Sequence, residues 1–316
     1  MALNIARIDY QASIQWGRQN GDSITLLPIP CTTTGDLISS YSPTELKSMT
    51  GADVDIGHVK ILSPVTANQQ FVCQGANYRQ HMIESGVDPD AKTFNMIFTK
   101  AQSCICPADS TVIRPKHVKL LDYEVELGLV LKQAIEGSIE IRPESILDYV
   151  AGLVIVNDYS ARDIQIPQMQ FYKGKSFRTF GPVGPWLCLL EPEDLEHVLN
   201  LNLELRVDGE VRQQDNTSNL VFQPAETLTE LSAVQNFAPG DLLATGTPSG
   251  CALAAPSPRI QRLMGLIPEK KKWQLFIKAQ SKRSQYLQPG QTVTTCISSP
   301  CGTINLGTQS NLVVAE

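Results

Sequence analysis

The sequence predicts a β-dominated α+β fold. Many short segments rich in β-branched and aromatic residues alternate with Gly, Pro and Asn turn signals, and few stretches keep a helical period. The chain has 316 residues, of which 42% are apolar and 18% charged. That balance is typical of a globular protein with a sizeable core, and it excludes a coiled coil, a collagen-like repeat and long-range disorder.

The first 65 residues predict a small β-rich N-terminal domain. Strand-forming residues lie at 5–10 and 24–28, with turn signals between them. Residues 62–65 are the predicted join to the rest of the chain. The expected domains are therefore 1–65 and 66–316.

The larger domain is predicted to contain strands and a small number of helices. Helical character is expected at 77–84 and at 220–238. Asp208 and Gly209 predict a type I′ turn that closes a hairpin. The expected strands lie at 95–99, 111–114, 123–131, 149–156 (alternatively a short helix and then a strand), 201–207, 210–212 and 241–246.

Residues 251–287 differ from the rest of the larger domain and predict an insertion. The stretch is punctuated by proline and then becomes basic, and its lysine-rich part is expected to be a solvated helix. The apolar residues Ile260, Leu263, Met264 and Ile267 recur at helical spacing, so this face must pack on something. We expect either a lid over the functional site or an ornament packed on the N-terminal domain or on a dimer partner.

Charge and hydropathy exclude several classes of partner. The chain has 26 Lys and Arg against 32 Asp and Glu, a net charge of −6, which does not favour nucleic-acid binding. No stretch approaches the ~20 apolar residues of a membrane span, and residues 1–20 lack the apolar core of a secretory signal. The eight scattered cysteines are expected to be reduced. A cytoplasmic location is predicted, and a mitochondrial one stays open.

Three carboxylates from two segments form a candidate metal site. Glu124 and Glu126 are two residues apart in a predicted strand, which places both on one face, and Asp158 ends a separate apolar segment. Burying acids without a positive partner is costly, so something positive must offset them. Three carboxylates favour Mg²⁺, Mn²⁺ or Ca²⁺ over zinc. The alternative is that Glu124 and Glu126 lie on the solvated face of an edge strand.

His81 and Glu84 form a second candidate pair. On a helix, residues at i and i+3 share a face, so that a carboxylate there can orient an imidazole or hold a water with it. A structural or surface histidine is the alternative, and it is the expectation for His58, His117 and His197.

Five segments carry a family resemblance. They are 74–84 (QGANYRQHMIE), 121–128 (LDYEVELG), 157–165 (NDYSARDIQ), 173–184 (KGKSFRTFGPVG) and 245–250 (TGTPSG). In this order and spacing they resemble the fumarylacetoacetate hydrolase family, and the similarity is greatest to its acylpyruvate hydrolases, oxaloacetate decarboxylases and oxaloacetate tautomerases. The resemblance runs from about residue 66 to 250 and resumes near 287–290.

The resemblance implies a fold, a metal and a set of site residues. The fold would be a twisted β-roll around a central metal, Mg²⁺ or Mn²⁺ with Ca²⁺ as an alternative, in a homodimer. Arg178 and Cys251 depart from the family pattern at the rim of the pocket. The implied metal ligands are Glu124, Glu126 and Asp158, the catalytic residues His81, Glu84 and Lys175, and the substrate-binding residues Tyr78, Arg162, Gln165 and Thr247.

The resemblance also implies a shared chemistry with several outcomes. The expected substrate is a small 1,3-dicarbonyl or 2-keto acid, which would react through a metal-stabilised enolate. Hydrolysis of a C–C bond is the predicted reaction. Decarboxylation or keto–enol tautomerisation of an oxaloacetate-like acid, in a specialised biosynthetic pathway, is the alternative. A catalytically silent metal-binding scaffold and a Ca²⁺-dependent ligand-binding module are the alternatives from other classes, and retention of both His81 and Glu84 argues against them.

Overall fold

A computed structural model describes residues 2–255, 265 and 267–316. It confirms the β-dominated α+β class. The described strands are β1 Leu3–Tyr10, β2 Ser13–Asn20, β3 Ser23–Leu26, β4 Asp53–Asp55, β5 Lys60–Leu62, β6 Phe71–Gly75, β7 Met96–Thr99, β8 Ile105–Cys106, β9 Val112–Arg114, β10 Leu121–Asp122, β11 Val125–Leu131, β12 Val150–Asn157, β13 Ser160–Ala161, β14 Gly181–Pro182, β15 Leu187–Leu189, β16 Asn202–Val207, β17 Glu210–Asn216, β18 Leu242–Ala244, β19 Thr292–Ser298 and β20 Asn305–Ala315.

The described helices are short. The α-helices are α1 Thr34–Ser40, α2 Pro43–Ser48, α3 Arg79–Glu84, α4 Arg162–Gln168, α5 Phe171–Lys175, α6 Leu195–Val198, α7 Pro224–Ser232 and α8 Glu269–Gln280. The 3₁₀ helices are Ile56–His58, Gln102–Cys104, Pro143–Asp148, Pro192–Asp194 and Thr217–Asn219.

The larger sheet places the acidic motif at its centre. Its described strands follow the order β4-β3-β2-β1-β15-β12-β11-β18-β6-β7, with β5 added beside β1. Strand β11 pairs antiparallel with β12 on one side and with β18 on the other. Every residue of β11 is buried, which agrees with the nearly continuous apolar run of a strand covered on both faces. The alternative that Glu124 and Glu126 lie on a solvated edge strand is therefore wrong.

The second sheet covers the first. Within the described residues its order is β17-β16-β19-β20-β9. Its hairpin turns at Asp208 and Gly209, whose φ values of 50° and 84° are those of the predicted type I′ turn. Leu127 of the first sheet and Leu205 of the second belong to one continuous apolar core, which fixes the two sheets against each other.

The helix predicted over 220–238 is shorter in the structure. It begins at Pro224, which needs no N–H partner at a helix start, and ends at Ser232. Phe237 lies outside the helix, because its backbone N–H and carbonyl form hydrogen bonds of 3.0 Å with Ile135 in an isolated β-bridge. The periodicity of the side chains contains no information about this long-range pairing, so the length of the helix predicted from the sequence was too great.

The N-terminal strands continue the larger sheet. Strand β1 pairs antiparallel with β15, with Leu3 opposite Leu189, so that the strands before residue 65 extend the sheet that carries the acidic motif. The strands expected at 5–10 and 24–28 are confirmed as β1 and β3. The domain division at residue 65 stays a prediction.

The structure describes part of the predicted insertion. Ile260, Leu263 and Met264, the centre of the expected apolar face, lie outside the described residues. The lysine-rich part is a helix, α8, as predicted, and Lys270 and Lys278 are exposed on it. Its apolar residue Phe276 is buried against the body of the protein.

Candidate active site

The three acidic residues predicted as metal ligands meet at the ends of two paired strands. Glu124 immediately precedes β11, Glu126 lies within it, and Asp158 immediately follows β12. The pairing continues past the strand ends, since the Asp158 N–H donates to the Glu124 carbonyl at 2.8 Å. One carboxylate oxygen from each residue lies within 4.8 Å of the others, and all three side chains are buried.

Two predicted site residues supply positive charge to these acids. The Lys175 ammonium, at the end of α5, donates to Glu124 Oε2 at 2.5 Å, Asp158 Oδ2 at 2.6 Å and Ser160 Oγ at 2.7 Å. The Arg162 guanidinium, at the start of α4, donates through Nη2 to Glu124 Oε1 at 2.5 Å. A charged hydrogen bond is about twice as strong as a neutral one, so these contacts offset much of the cost of burial.

Sequence reasoning missed two members of the cluster. The buried Lys100 donates to Asp158 and to the Phe180 carbonyl. The buried Asp122 accepts from Arg162 Nε at 2.8 Å. Two signals were present in the sequence: Lys100 directly follows an apolar strand, and Asp122 lies two residues before Glu124. We call the seven buried charged residues of this cluster the charged floor: Lys100, Asp122, Glu124, Glu126, Asp158, Arg162 and Lys175.

Glu126 is the floor residue without a positive partner. Four carboxylates face three cations, 3 − 4 = −1, and the described hydrogen bond to Glu126 comes from the neutral Gly246 N–H at 3.0 Å. Burial, with Asp158 and Glu124 beside it, raises the pKa of Glu126 well above its usual value. Burial would also raise the pKa of Glu124, but Arg162 and Lys175 outweigh it and hold that pKa below its usual value.

The donor set fits a divalent metal ion. Converging carboxylate oxygens suit a hard cation, and a buried carboxylate without a counter-charge is what such an ion would neutralise. Glu124, Glu126 and Asp158 are the residues that would hold it. A divalent ion would change the net charge of the floor from −1 to −1 + 2 = +1, which favours an anionic ligand above it.

One cavity of about 310 Å³ opens above the floor. Its lining combines charged and polar groups with apolar side chains. The predicted site residues that line it are His81, Glu124, Glu126, Arg162, Gln165, Lys175 and Thr247. The structure therefore brings seven of the predicted residues into one space.

His81 and Glu84 have different surroundings. Helix α3 confirms that they share a face, but His81 lines the cavity whereas Glu84 is exposed at the end of the helix, outside the described lining. Burial lowers the pKa of His81, against the pull of Glu124. The imidazole is therefore neutral near pH 7 and able to accept a proton.

The predicted substrate-binding residues are held by a second network. Arg162 Nη1 donates to Gln165 Oε1 at 2.8 Å, and Thr247 Oγ1 accepts from Gln213 Nε2 at 2.8 Å. Gln213 also accepts from the Val125 N–H at 3.0 Å, so it joins the strand of the acidic motif to the loop that carries Thr247. Sequence reasoning missed Gln213, because nothing in its local pattern separates it from other strand residues.

Tyr78 is the predicted binding residue that does not line the described cavity. It is fully buried at the N-terminal end of α3 and is absent from the described lining of the cavity. Its hydroxyl has no hydrogen-bond partner among the described residues. Its predicted contact with a substrate stays a prediction that the described cavity does not support.

The chain belongs to the fumarylacetoacetate hydrolase family. The model of the family's C-terminal region, described as "Fumarylacetoacetate (FAA) hydrolase C-terminal", matches residues 70–314, which is most of the chain. This match confirms the family that the five sequence segments indicated. The described site agrees with it, because the matched region contains every residue of the charged floor.

Relatives and solved structures place the chain among enzymes. It is 36% identical over 181 residues to uncharacterized protein MJ1656 of Methanocaldococcus jannaschii, covering 57% of this chain and 72% of the relative. It is also 36% identical over 228 residues to a Burkholderia ambifaria protein with a provisional hydrolase name, covering 71% and 78%. A fumarylacetoacetate hydrolase from Exiguobacterium antarcticum has a similar structure, with a TM-score of 0.75, 25% identity and coverage of 99% and 100%.

A more distant structure supports the fold alone. A 2-hydroxyhepta-2,4-diene-1,7-dioate isomerase from Mycobacterium marinum has a TM-score of 0.71 at 23% identity, with 99% of each chain covered. The buried acidic triad could hold the divalent metal that members of the family generally bind. In the part of the chain that the structure describes, no helix has the length and apolarity needed to cross a bilayer.

Proposed function

We propose that the protein is a metal-dependent hydrolase that cleaves a C–C bond in a small 2-keto acid with a second carbonyl group. The observation that carries the proposal is a single cavity lined by Glu124, Glu126, Arg162 and His81. Such a cavity offers metal ligands, an anion-binding group and a neutral base to one small molecule. Mg²⁺ or Mn²⁺ is the proposed ion and a homodimer the proposed assembly, as the family resemblance implies.

Arg162 and Gln165 would bind and orient the substrate. Three of the five guanidinium N–H groups are committed to Asp122, Glu124 and Gln165, and the remaining two have no partner among the described residues. Paired N–H groups match a carboxylate. When bound, a divalent cation would supply a Lewis acid for the substrate oxygens.

His81 would move the proton. As a neutral base it would accept a proton from a water that attacks the carbonyl group, and the exposed Glu84 would orient the imidazole. The C–C bond then breaks, and the departing carbon takes the proton back from the imidazolium. One water is consumed, and a carboxylic acid and a shorter 2-keto acid are released. Lys175 would balance the negative charge that develops, after releasing one of its three present partners.

Keto–enol tautomerisation is a second candidate, and the position of Glu84 favours it. Moving a proton between carbon and oxygen needs one base and no activated water. Among the described residues, His81 lines the cavity and Glu84 does not. Decarboxylation of an oxaloacetate-like acid uses the same binding groups and also needs no water.

Product analysis with purified protein separates these reactions. We would incubate acetylpyruvate and oxaloacetate with the protein and Mg²⁺ or Mn²⁺ and follow the products by NMR. Acetate with pyruvate supports hydrolysis, pyruvate with CO₂ supports decarboxylation, and faster keto–enol exchange alone supports tautomerisation. The absence of all three, with metal bound, supports the silent scaffold instead.

The variant His81→Ala tests the proposed base. Turnover is expected to fall about 10²–10⁴-fold while metal affinity persists. His58→Ala is the matched control, because His58 is exposed in a 3₁₀ turn outside the described cavity lining, and it should retain wild-type rates. Full activity of His81→Ala would remove this residue from the mechanism, and loss of metal together with activity would make it structural.

A further inference from the structure

The lining of the cavity also includes apolar side chains. Most of them come from separate elements of the main fold, and four, Leu253, Ala254, Ala255 and Phe276, come from the predicted insertion at 251–287. The larger apolar residues of the lining are Met96, Phe98, Ile166, Phe171, Leu253 and Phe276. A substrate held by its carboxylate at the floor would place its other end against some of these side chains.

Phe276 is the member of this set that α8 contributes. Its side chain is 8% exposed, although its helix neighbours Leu275 and Lys278 are exposed to solvent. Trp273 packs edge-on against it, with the ring centroids 5.9 Å apart, so the ring is supported from behind. Leu253 and Phe276 are the two larger side chains that the described part of the insertion adds to the cavity lining. We call this pair the apolar roof.

The first half of the roof is fixed directly to the charged floor. The backbone N–H groups of Ala252 and Leu253 donate to the two carboxylate oxygens of Asp122 at 2.7 and 3.0 Å. The same carboxylate accepts from Arg162. Because Asp122 is fully buried and holds both partners, the distance from Leu253 to the floor is set by the fold.

The second half of the roof is fixed to the first. Gln280 Nε2, at the end of α8, donates to the Ala254 carbonyl at 2.9 Å, and Arg283 Nε donates to the Ala252 carbonyl at 2.8 Å. The buried Tyr286 hydroxyl holds Gln280 in turn at 2.8 Å. These bonds fix the helix that carries Phe276 to the segment that carries Leu253.

We propose that Phe276, with Leu253, determines which substrates the enzyme accepts, by setting the length of the apolar group that a keto acid can carry. The inference rests on the proposed function, since it assumes that the substrate's keto-acid end binds at the floor. The substrate class is then a 2-keto or 1,3-dicarbonyl acid with an unbranched or compact apolar tail. A tail with a charge at its end would leave that charge unpaired against Phe276.

A series of N-alkyl oxamates measures this length without turnover. Each carries a carboxylate beside an amide carbonyl that stands in for the keto group of a 2-keto acid, and a tail that can be lengthened by one methylene at a time. We would measure binding by calorimetry in the presence of Mg²⁺ or Mn²⁺, with oxalate as the tailless reference. Each methylene buried under the roof should improve affinity about three- to fourfold, until the tail meets Phe276.

Two variants change the roof, and a third is the control. Phe276→Ala should move the best-bound tail to a longer one and weaken the binding of the wild-type optimum about tenfold or more. Phe276→Leu should give a smaller shift in the same direction and covers the case in which the alanine variant does not fold. Leu275→Ala should leave the profile unchanged, because Leu275 lies on the same helix, exposed and outside the described lining.

The outcomes separate this inference from the proposed function. Metal-dependent oxalate binding that is equal in all variants, with a length profile that changes only at Phe276, supports the inference. Equal oxalate binding with the same length profile in wild type, Phe276→Ala and Phe276→Leu overturns it and leaves the proposed function standing. If wild-type protein with metal does not bind oxalate, the proposed function fails and the inference fails with it.

Discussion

The charged floor and the apolar roof enclose the same cavity but are built in different ways. The floor sits mainly at the ends of paired strands in the middle of a sheet, where seven charged side chains are buried together. The roof comes from an insertion and contributes apolar contacts held by a few hydrogen bonds. Buried charges are costly and tolerate little change, whereas apolar contacts can be exchanged. The proposed chemistry and the proposed substrate selection would therefore depend on separate parts of the chain.

The largest expected effect is on the stability of the floor. Lys100→Met removes one of the two donors to the Phe180 carbonyl, which also accepts from the Tyr159 N–H at 3.1 Å, and leaves Asp158 with one ammonium partner fewer. Removing one member of a buried pair costs about 3–5 kcal/mol, and the lower end applies because Lys175 still pairs with Asp158. Chemical denaturation measures the change. Lys60→Met, at an exposed strand position, is the control and should change stability by less than about 0.5 kcal/mol.

Glu126→Gln should lower the metal affinity of the floor without lowering the stability of the metal-free protein. Metal affinity is expected to fall about 100-fold or more, because the carboxylate without a protein counter-charge is lost. The metal-free variant should be at least as stable as metal-free wild type, since the neutral amide avoids burying a carboxylate that has no counter-charge when it ionises. Calorimetry and thermal unfolding test both points, with the exposed Glu136→Gln as control. Unchanged Mg²⁺ and Mn²⁺ binding would contradict the ligand assignment.

Acid should weaken metal binding through the same residue. The raised pKa of Glu126 means that the metal-free carboxyl keeps its proton to a higher pH than an ordinary glutamate, and a bound proton competes with the metal. Apparent affinity should fall about tenfold for each unit of pH below that pKa, and recover as pH rises. Affinity that stays flat between about pH 5 and pH 8 would show that Glu126 is ionised throughout.

The smallest expected effect is on the anchoring of the roof. Arg283→Ala removes the hydrogen bond to the Ala252 carbonyl, which is worth about 0.5–1.5 kcal/mol. Affinity for a butyl oxamate should fall a few-fold, while affinity for oxalate and for the metal stays constant. Lys282→Ala, an exposed neighbour, is the control. A loss of oxalate affinity in Arg283→Ala would mean that floor and roof are not independent.

The convergence of the three candidate metal ligands could be predicted because its signal is local. Glu124 and Glu126 share a face through the strand period, and Asp158 ends a buried strand that pairs beside them. Lys100 could not be predicted as a partner, because its approach to Asp158 depends on where distant strands pair. The same limit produced the overlong helix at 220–238, where a bridge to Ile135 ends the helical pattern.

The remaining site residues show which features of the candidate site the family resemblance indicated and which it did not. It singled out Arg162, Gln165 and Lys175, which spacing alone could not do, and all three line the cavity, while their roles stay predictions. It did not indicate that Lys175 already has three partners, nor that Tyr78 lies buried outside the described lining. These facts depend on side-chain packing, which the sequence pattern does not contain.

The two ends of the predicted insertion lie close together, since the Arg283 side chain donates a hydrogen bond to the Ala252 carbonyl. The entropy of closing a loop rises only with the logarithm of its length, so residues can be gained or lost between such ends at little thermodynamic cost. Related proteins could therefore exchange this segment as one unit. A change of substrate would then require no change in the proposed metal ligands.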